Sequence, residues 1–130
     1  MTDVTVKRNE EFEPTYGGGM LKVRAGLGVT SFGMQLLRLP PNFDRYPEHD
    51  HAESGQEEVF IVLEGSATLI AGDEEHLLEP GVYARVGPNE TRKLVSGEQG
   101  MLALALGGIP GQAFEASKYT DEGEPDPFDG

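Results

Sequence analysis

The sequence predicts an all-β fold, an antiparallel sandwich or barrel, on three observations. Short runs rich in β-branched and aromatic residues alternate apolar with polar. Gly, Pro, Asn and Asp turn signals separate these runs about every 8 to 12 residues. No stretch of about ten residues holds a 3.6-residue apolar period without a Gly or Pro break, so long amphipathic helices are excluded.

Met1 to Tyr16 mixes charge with a short alternating run, Val4-Thr5-Val6-Lys7, an edge strand or an arm reaching across a partner. Gly17-Gly18-Gly19 reads as a flexible hinge; no helix signal follows it, so it is not a phosphate cradle. Leu21 to Ala25 alternates as a strand does, with Gly26 and Gly28 as punctuation. Phe32 to Leu39 is a second strand, closed by Pro40-Pro41, which cannot donate to a ladder. Met34, Leu36 and Arg38 share one of its faces and Gln35, Leu37 and Leu39 the other. Glu57 to Leu63 is a nearly continuous apolar run, the mark of a strand covered on both faces. Gly65 turns the chain into Ser66 to Ala71, and Gly72-Asp73 leads to Glu74 to Leu78. Pro80-Gly81, Val82 to Val86, Gly87-Pro88-Asn89, Thr91 to Val95 and Met101 to Leu106 continue the turn-and-strand pattern. Phe32, Phe43, Tyr46, Phe60 and Tyr83 are expected in the core. Residues 1–19 form an arm and hinge, 20–114 the barrel. Residues 115–130, with Glu115, Asp121, Glu122, Glu124, Asp126 and Asp129 against Lys118, form an acidic tail expected to be disordered.

A chain of 130 residues suits one domain. With 10 Lys+Arg against 23 Asp+Glu its net charge is −13, which argues against a nucleic-acid partner or an anionic membrane surface. No run reaches the length of a membrane span, and the first residues are too polar and acidic for a secretory signal, which favours a cytoplasmic location. With no cysteine, a metal can be held by histidine and carboxylate only. His49 and His51, two residues apart on extended chain, point to one side and can share an ion. His76, beside the Gly72-Asp73 turn, reads as a solvated strand residue. Glu57, Glu64, Glu74, Glu75 and Glu79 read as an acidic rim.

Over residues 33 to 106 these motifs resemble the cupins, whose fold is a double-stranded β-helix or jelly-roll barrel. The first cupin motif runs from a glycine through His-X-His and a Glu to a second glycine. Here His49-Asp50-His51 supplies the pair, and Glu58 stands six residues before the motif's closing Gly65. The leading glycine position holds Phe43. A longer insert, Ala52 to Glu57, separates His51 from Glu58, with Glu57 or Gln56 as alternative ligands. In the second motif Gly81 matches the opening glycine, Gly87 stands at the proline position, and Asn89 at a glycine position, where it can adopt a positive φ. The last ligand position holds Arg92 instead of histidine, and Ser96 replaces the closing asparagine.

The resemblance implies one divalent ion, iron, manganese, nickel or zinc, held by His49, His51 and Glu58. A guanidinium has no lone pair to give, so Arg92 cannot be the fourth ligand. By alternation Arg92 and Leu94 face inward, and Phe60 and Val62 share the face of Glu58 and line the ligand cavity. Two functions follow: a metal-dependent enzyme or binder acting on a small molecule in the barrel, or a non-catalytic module that captures a small anion through Arg92 with little or no metal. The family habit of pairing barrels also implies a homodimer, which admits an assembly role.

Overall fold

The computed structural model describes residues 2–113. Its strands are β1 (Pro14–Thr15), β2 (Met20–Leu21), β3 (Gly33–Leu39), β4 (Glu57–Ala71), β5 (Glu74–Leu78), β6 (Tyr83–Val86) and β7 (Arg92–Gly108), with one short helix, α1 (Val23–Leu27), between β2 and β3. All pairings are antiparallel, in the order β1-β2-β3-β7-β4-β5, with β6 on the first half of β4. The expected acidic tail, 115–130, lies outside the described residues.

Two long strands organise this arrangement. β4 and β7 pair along nearly their whole length, from Glu57 opposite Gly108 to Ala71 opposite Arg92, with irregularities between Val62 and Glu64 and between Gly65 and Ala67. Sequence analysis divides each into two strands; the structure joins them, because Gly65 is an irregular position within a strand and not a turn. Its φ is +74, and a Cβ there would strike the carbonyl of Gly100. Gly100, φ +78, is also obstructed: a Cβ there would stand 2.7 Å from the carbonyl oxygen of Leu39. Such irregularities bend a strand sharply, which lets one strand serve two sheets. The first half of β4 thus pairs β6 and the end of β7, itself paired to β3, while its second half pairs β5 and the start of β7.

The core lies between these two sheet halves. Phe60, Val62, Leu37, Leu39, Ala103 and Met101 from one half meet Leu69, Leu78 and Leu94 from the other in one buried cluster. In β3 it is therefore the Leu37 and Leu39 face that turns inward. Leu36 turns outward and, with Phe12, Leu21 and Val23, forms a second cluster that covers the outside of the sheet.

Local chemistry explains where expectation and structure part. Val23 to Leu27 is helical, not extended: Gly28, φ +81, caps it in the left-handed region and its N–H bonds the carbonyls of Arg24 and Ala25. Val23 and Leu27, one helical turn apart, both join the outer cluster. Val4 and Val6 are exposed and belong to no strand. Phe32 and Tyr83 are 42% and 72% exposed, outside the expected core; Tyr83 shares its outward face with Arg85. The outer side of Glu57 to Leu63 is only partly covered, Leu63 being 45% exposed. Asn89 does not take a positive φ; the turn closes with Glu90 N–H donating to Gly87 O, and the left-handed asparagine is Asn42. Tyr16–Gly18 forms a 3₁₀ turn with Gly19 at its end, anchored by the buried Tyr16 ring.

Ser96 staples the loop after β3. Its hydroxyl accepts from Phe43 N–H at 2.8 Å and donates to Pro40 O, and its own N–H bonds Phe43 O. Ser96→Ala leaves two half-buried backbone groups, Phe43 N–H and Pro40 O, without this partner and is expected to lower stability by roughly 1 kcal/mol. Gly65→Ala, strained and obstructed, is expected to lose about 3 kcal/mol or more. Urea unfolding of the two variants beside wild type measures both.

Candidate metal centre

His49 is set by backbone pairing: its N–H and C=O exchange hydrogen bonds of 3.1 and 2.9 Å with Arg92, an isolated antiparallel bridge at the start of β7. Its Nδ1–H donates to Pro47 O at 2.8 Å; a carbonyl only accepts, so this contact fixes the tautomer and leaves Nε2 as the lone-pair nitrogen. His51 N–H donates to Pro88 O at 2.9 Å. The two rings meet edge to face, centroids 5.0 Å apart.

The long insert after His51 closes on itself. Asp50 Oδ1 accepts from Ala52 N–H, Ser54 Oγ accepts from Gln56 N–H, and Gly55, φ +76, returns its N–H to His51 O. The chain then enters β4 with Glu58 aimed at the histidines. One ligand atom each from His49, His51 and Glu58 lies within 4.8 Å of the others, the one such group of three or more among the described residues. Of the alternative ligands, Glu57 is tied to Arg85 at 2.8 Å, and the Gln56 side chain packs on Gly107, where a Cβ would meet its Nε2 at 2.5 Å.

Arg92 occupies the interior beside this group. Its side chain is 0% exposed, and Nη1 donates to Glu58 Oε1 at 3.1 Å, Nη2 to Gly87 O at 2.6 Å and Nε to Glu90 O at 3.0 Å. Glu58 Oε1 also stands 3.8 Å from His51 Nε2, which is buried and has no hydrogen-bond partner. A buried ring nitrogen left without a partner costs free energy unless another group engages it. Phe60 and Val62, 1% and 3% exposed, sit in the main cluster.

Residues 35–105, more than half of the chain, match the family model described as Cupin domain. The chain belongs to the cupin family. Among solved structures it is similar to a cupin protein from Bacteroides fragilis, at 16% identity and a TM-score of 0.66 over 93% of this chain and 96% of that one. It is also similar to a sugar phosphate isomerase of the cupin superfamily from Silicibacter pomeroyi, at 24% identity and 0.66 over 79% and 74%. A third, the DMSP lyase DddQ from Ruegeria pomeroyi, stands at 20% and 0.55 over 71% and 45%. No curated protein matches the sequence. At these identities the likeness carries the fold.

Tyr46 is the residue of this cupin site that sequence analysis places only in the core. It is buried, its ring centroid lies 5.7 Å from that of His49, and burial, then the Glu58 charge, push its phenol well above the usual range despite the opposing Arg92. Tyr46 thus stays a neutral hydroxyl. The one sequence signal for it is its place three residues before His49. His76, by contrast, is half exposed and bonded to Glu74 at 3.0 Å. Among the described residues no helix is long and apolar enough to cross a membrane.

Burial lowers the His49 pKa below 6.5, outweighing the Pro47 hydrogen bond and the Glu58 charge that raise it. The folded protein therefore binds the His49 proton less readily than the unfolded chain. As pH falls below 6.5 the unfolded chain gains that proton first, and stability drops until the folded pKa is reached. In chelator-treated protein the urea midpoint is expected to fall between about pH 7.5 and 5.5, and less steeply in His49→Gln. Arg92→Met, which strands Glu58 and two carbonyls, is expected to cost roughly 3 kcal/mol, with part recovered in Arg92→Met/Glu58→Leu. Denaturant unfolding of the single and double variants reads both values.

Proposed function

We propose that this chain is a metal-binding cupin that holds one divalent ion through His49, His51 and Glu58 and binds or transforms a small molecule in the barrel. The observation that carries the reading is the convergence of three ligand atoms within 4.8 Å around a buried, unpartnered His51 Nε2. The tautomer of His49 supports it, since Nδ1–H on Pro47 O presents Nε2 as a ligand. Two imidazoles and one carboxylate suit iron, manganese, nickel or zinc and leave coordination positions for an exogenous ligand. When bound, such an ion supplies Lewis-acid polarisation of a carbonyl or activation of a bound ligand.

The chain's own residues have separable tasks. Arg92, through Nη1, holds Glu58 in place, and through its other donors it fixes the Gly87 to Glu90 turn whose Pro88 carbonyl orients His51. Tyr46, neutral and buried, packs its ring beside His49 and keeps water from that side of the imidazole. Arg92 as a fork for an anionic ligand is less well supported, because at 0% exposure three of its donors already serve Glu58 and two carbonyls. The named neighbours include an isomerase and a lyase, so the same barrel carries both chemistries.

Reconstitution with iron, manganese, nickel and zinc, aerobic and anaerobic, followed by elemental analysis, is expected to give about one ion per chain with at least one of the four. His51→Ala and Glu58→Gln are each expected to weaken binding more than about tenfold, and Arg92→His, which removes a cation and adds an imidazole, to strengthen it. Absence of stoichiometric metal under every condition, or metal content indifferent to His51→Ala, overturns the reading.

A further inference from the structure

The geometry points to a second site, independent of the metal centre, that binds a small organic anion with an apolar body. It is a cavity of about 400 Å³ between the Tyr16 to Gly19 turn and the end of β3, closed by the loop that carries Phe43 and Arg45. That volume lies in the range of small-molecule pockets.

Charge is the first argument. The chain has 23 acidic residues and only 10 Lys and Arg, yet among the described residues two arginines, Arg38 and Arg45, line this cavity and no carboxylate does. Asp44, between Phe43 and Arg45 in sequence, is not part of the lining. Among the described residues the ion pairs engage Lys22, Arg85 and Arg92 but neither Arg38 nor Arg45. In so acidic a protein two guanidinium groups without an ion-pair partner, at one concave surface that no described carboxylate lines, leave a local positive field. A guanidinium fork matches carboxylate or phosphate.

Construction is the second. Arg45 stands over the Phe43 ring, its Cζ 5.3 Å from the centroid, and Phe43 is itself pinned by both backbone bonds to Ser96, so this guanidinium is held over a fixed platform. Arg38 is fixed at its backbone, where its N–H donates to Gly19 O, tying the glycine turn to β3. Tyr16, a non-glycine residue with φ +53, is held in the left-handed region with its ring buried in the core. Gly17 to Gly19 then present bare backbone to the cavity, and at Gly18 nothing lies within 4 Å of where a Cβ would stand. The apolar walls are Tyr16, Leu39 and Phe43. The net charge of −13 repels an extended polyanion, so the occupant is a free small anion.

The two sites share no residue. Arg38 pairs with Leu102 and Glu58 with Gly107, five residues along β7, a separation of roughly 17 Å. Occupancy of one is therefore measurable without the other.

The test is titration of the ¹⁵N-labelled full chain, with chelator present, using benzoate, phenyl phosphate, inorganic phosphate and the neutral benzyl alcohol. Saturable shifts of the Gly17, Gly18 and Gly19 amides are expected with benzoate and phenyl phosphate, weaker ones with inorganic phosphate, and none with benzyl alcohol. Arg38→Gln and Arg45→Gln are each expected to weaken binding about threefold to tenfold, more at low salt than at high, and the double variant to abolish it. Both arginines are exposed, so the variants should keep the wild-type thermal midpoint. His51→Ala should bind the anions as wild type does, which separates this site from the metal reading. Non-saturable shifts, an unchanged affinity in the double variant, or inorganic phosphate binding as tightly as phenyl phosphate overturns the assignment.

Discussion

The buried guanidinium of Arg92 is the constraint on which the site depends. A cation removed from water must be compensated by charge and hydrogen bonds, and three groups supply them: Glu58 from β4 and the carbonyls of Gly87 and Glu90 from the turn before β7. Each partner is thereby fixed. The turn is held so that the Pro88 carbonyl meets His51, and the backbone of Arg92 is bridged to His49 on the far side. One residue thus ties both histidines and the carboxylate into a single frame, although it cannot itself be a ligand.

That frame rests on the crossing of β4 and β7. The tight approach of Gly65 to Gly100 lets two continuous strands pass from one sheet half to the other, so that Glu58, near the start of β4, and Arg92, at the start of β7, reach the same interior point. Side chains at either glycine would push the strands apart where the bend is sharpest. The core then closes around Phe60, Leu69 and Leu94, and burying each such side chain contributes about 1.5 to 3 kcal/mol.

Much of this is legible in the sequence, and the limits have physical causes. Strand positions follow from alternation and turn residues, and β5 has the expected bounds. The continuity of β4 and β7 is hidden because a glycine with positive φ looks the same whether it ends a hairpin or bends a strand. Residues 21 to 25 alternate as a strand would, but Gly28 in the left-handed region and the four-residue spacing of Val23 and Leu27 decide for a helix over Val23–Leu27. Tyr83 is exposed because β6 lies at an edge and turns it outward. At the site, His49, His51, Glu58 and an inward Arg92 are readable from motif spacing and alternation. The partners that fix them, the carbonyls of Pro47, Gly87, Pro88 and Glu90, are not, because backbone acceptors carry no sequence signature.

The exchange of a ligand for a cation changes what the site favours. With three histidines and one glutamate, a divalent ion would leave a net local charge of +1; here, with Arg92 in place of one neutral imidazole, the same ion would leave +2 in a water-poor interior. An uncompensated interior charge is costly, so metal binding becomes linked to the arrival of an anion. The donors of Arg92 are already committed, and Glu58 is shared between Arg92 and the histidines, so the compensating charge must enter through the open coordination positions. A metal held this way would bind more tightly with an anionic chelating ligand than alone, and by reciprocity that ligand would bind more tightly with the metal than without it. Arg92 in the fourth ligand position would therefore couple metal and ligand occupancy more strongly than a complete four-ligand set would.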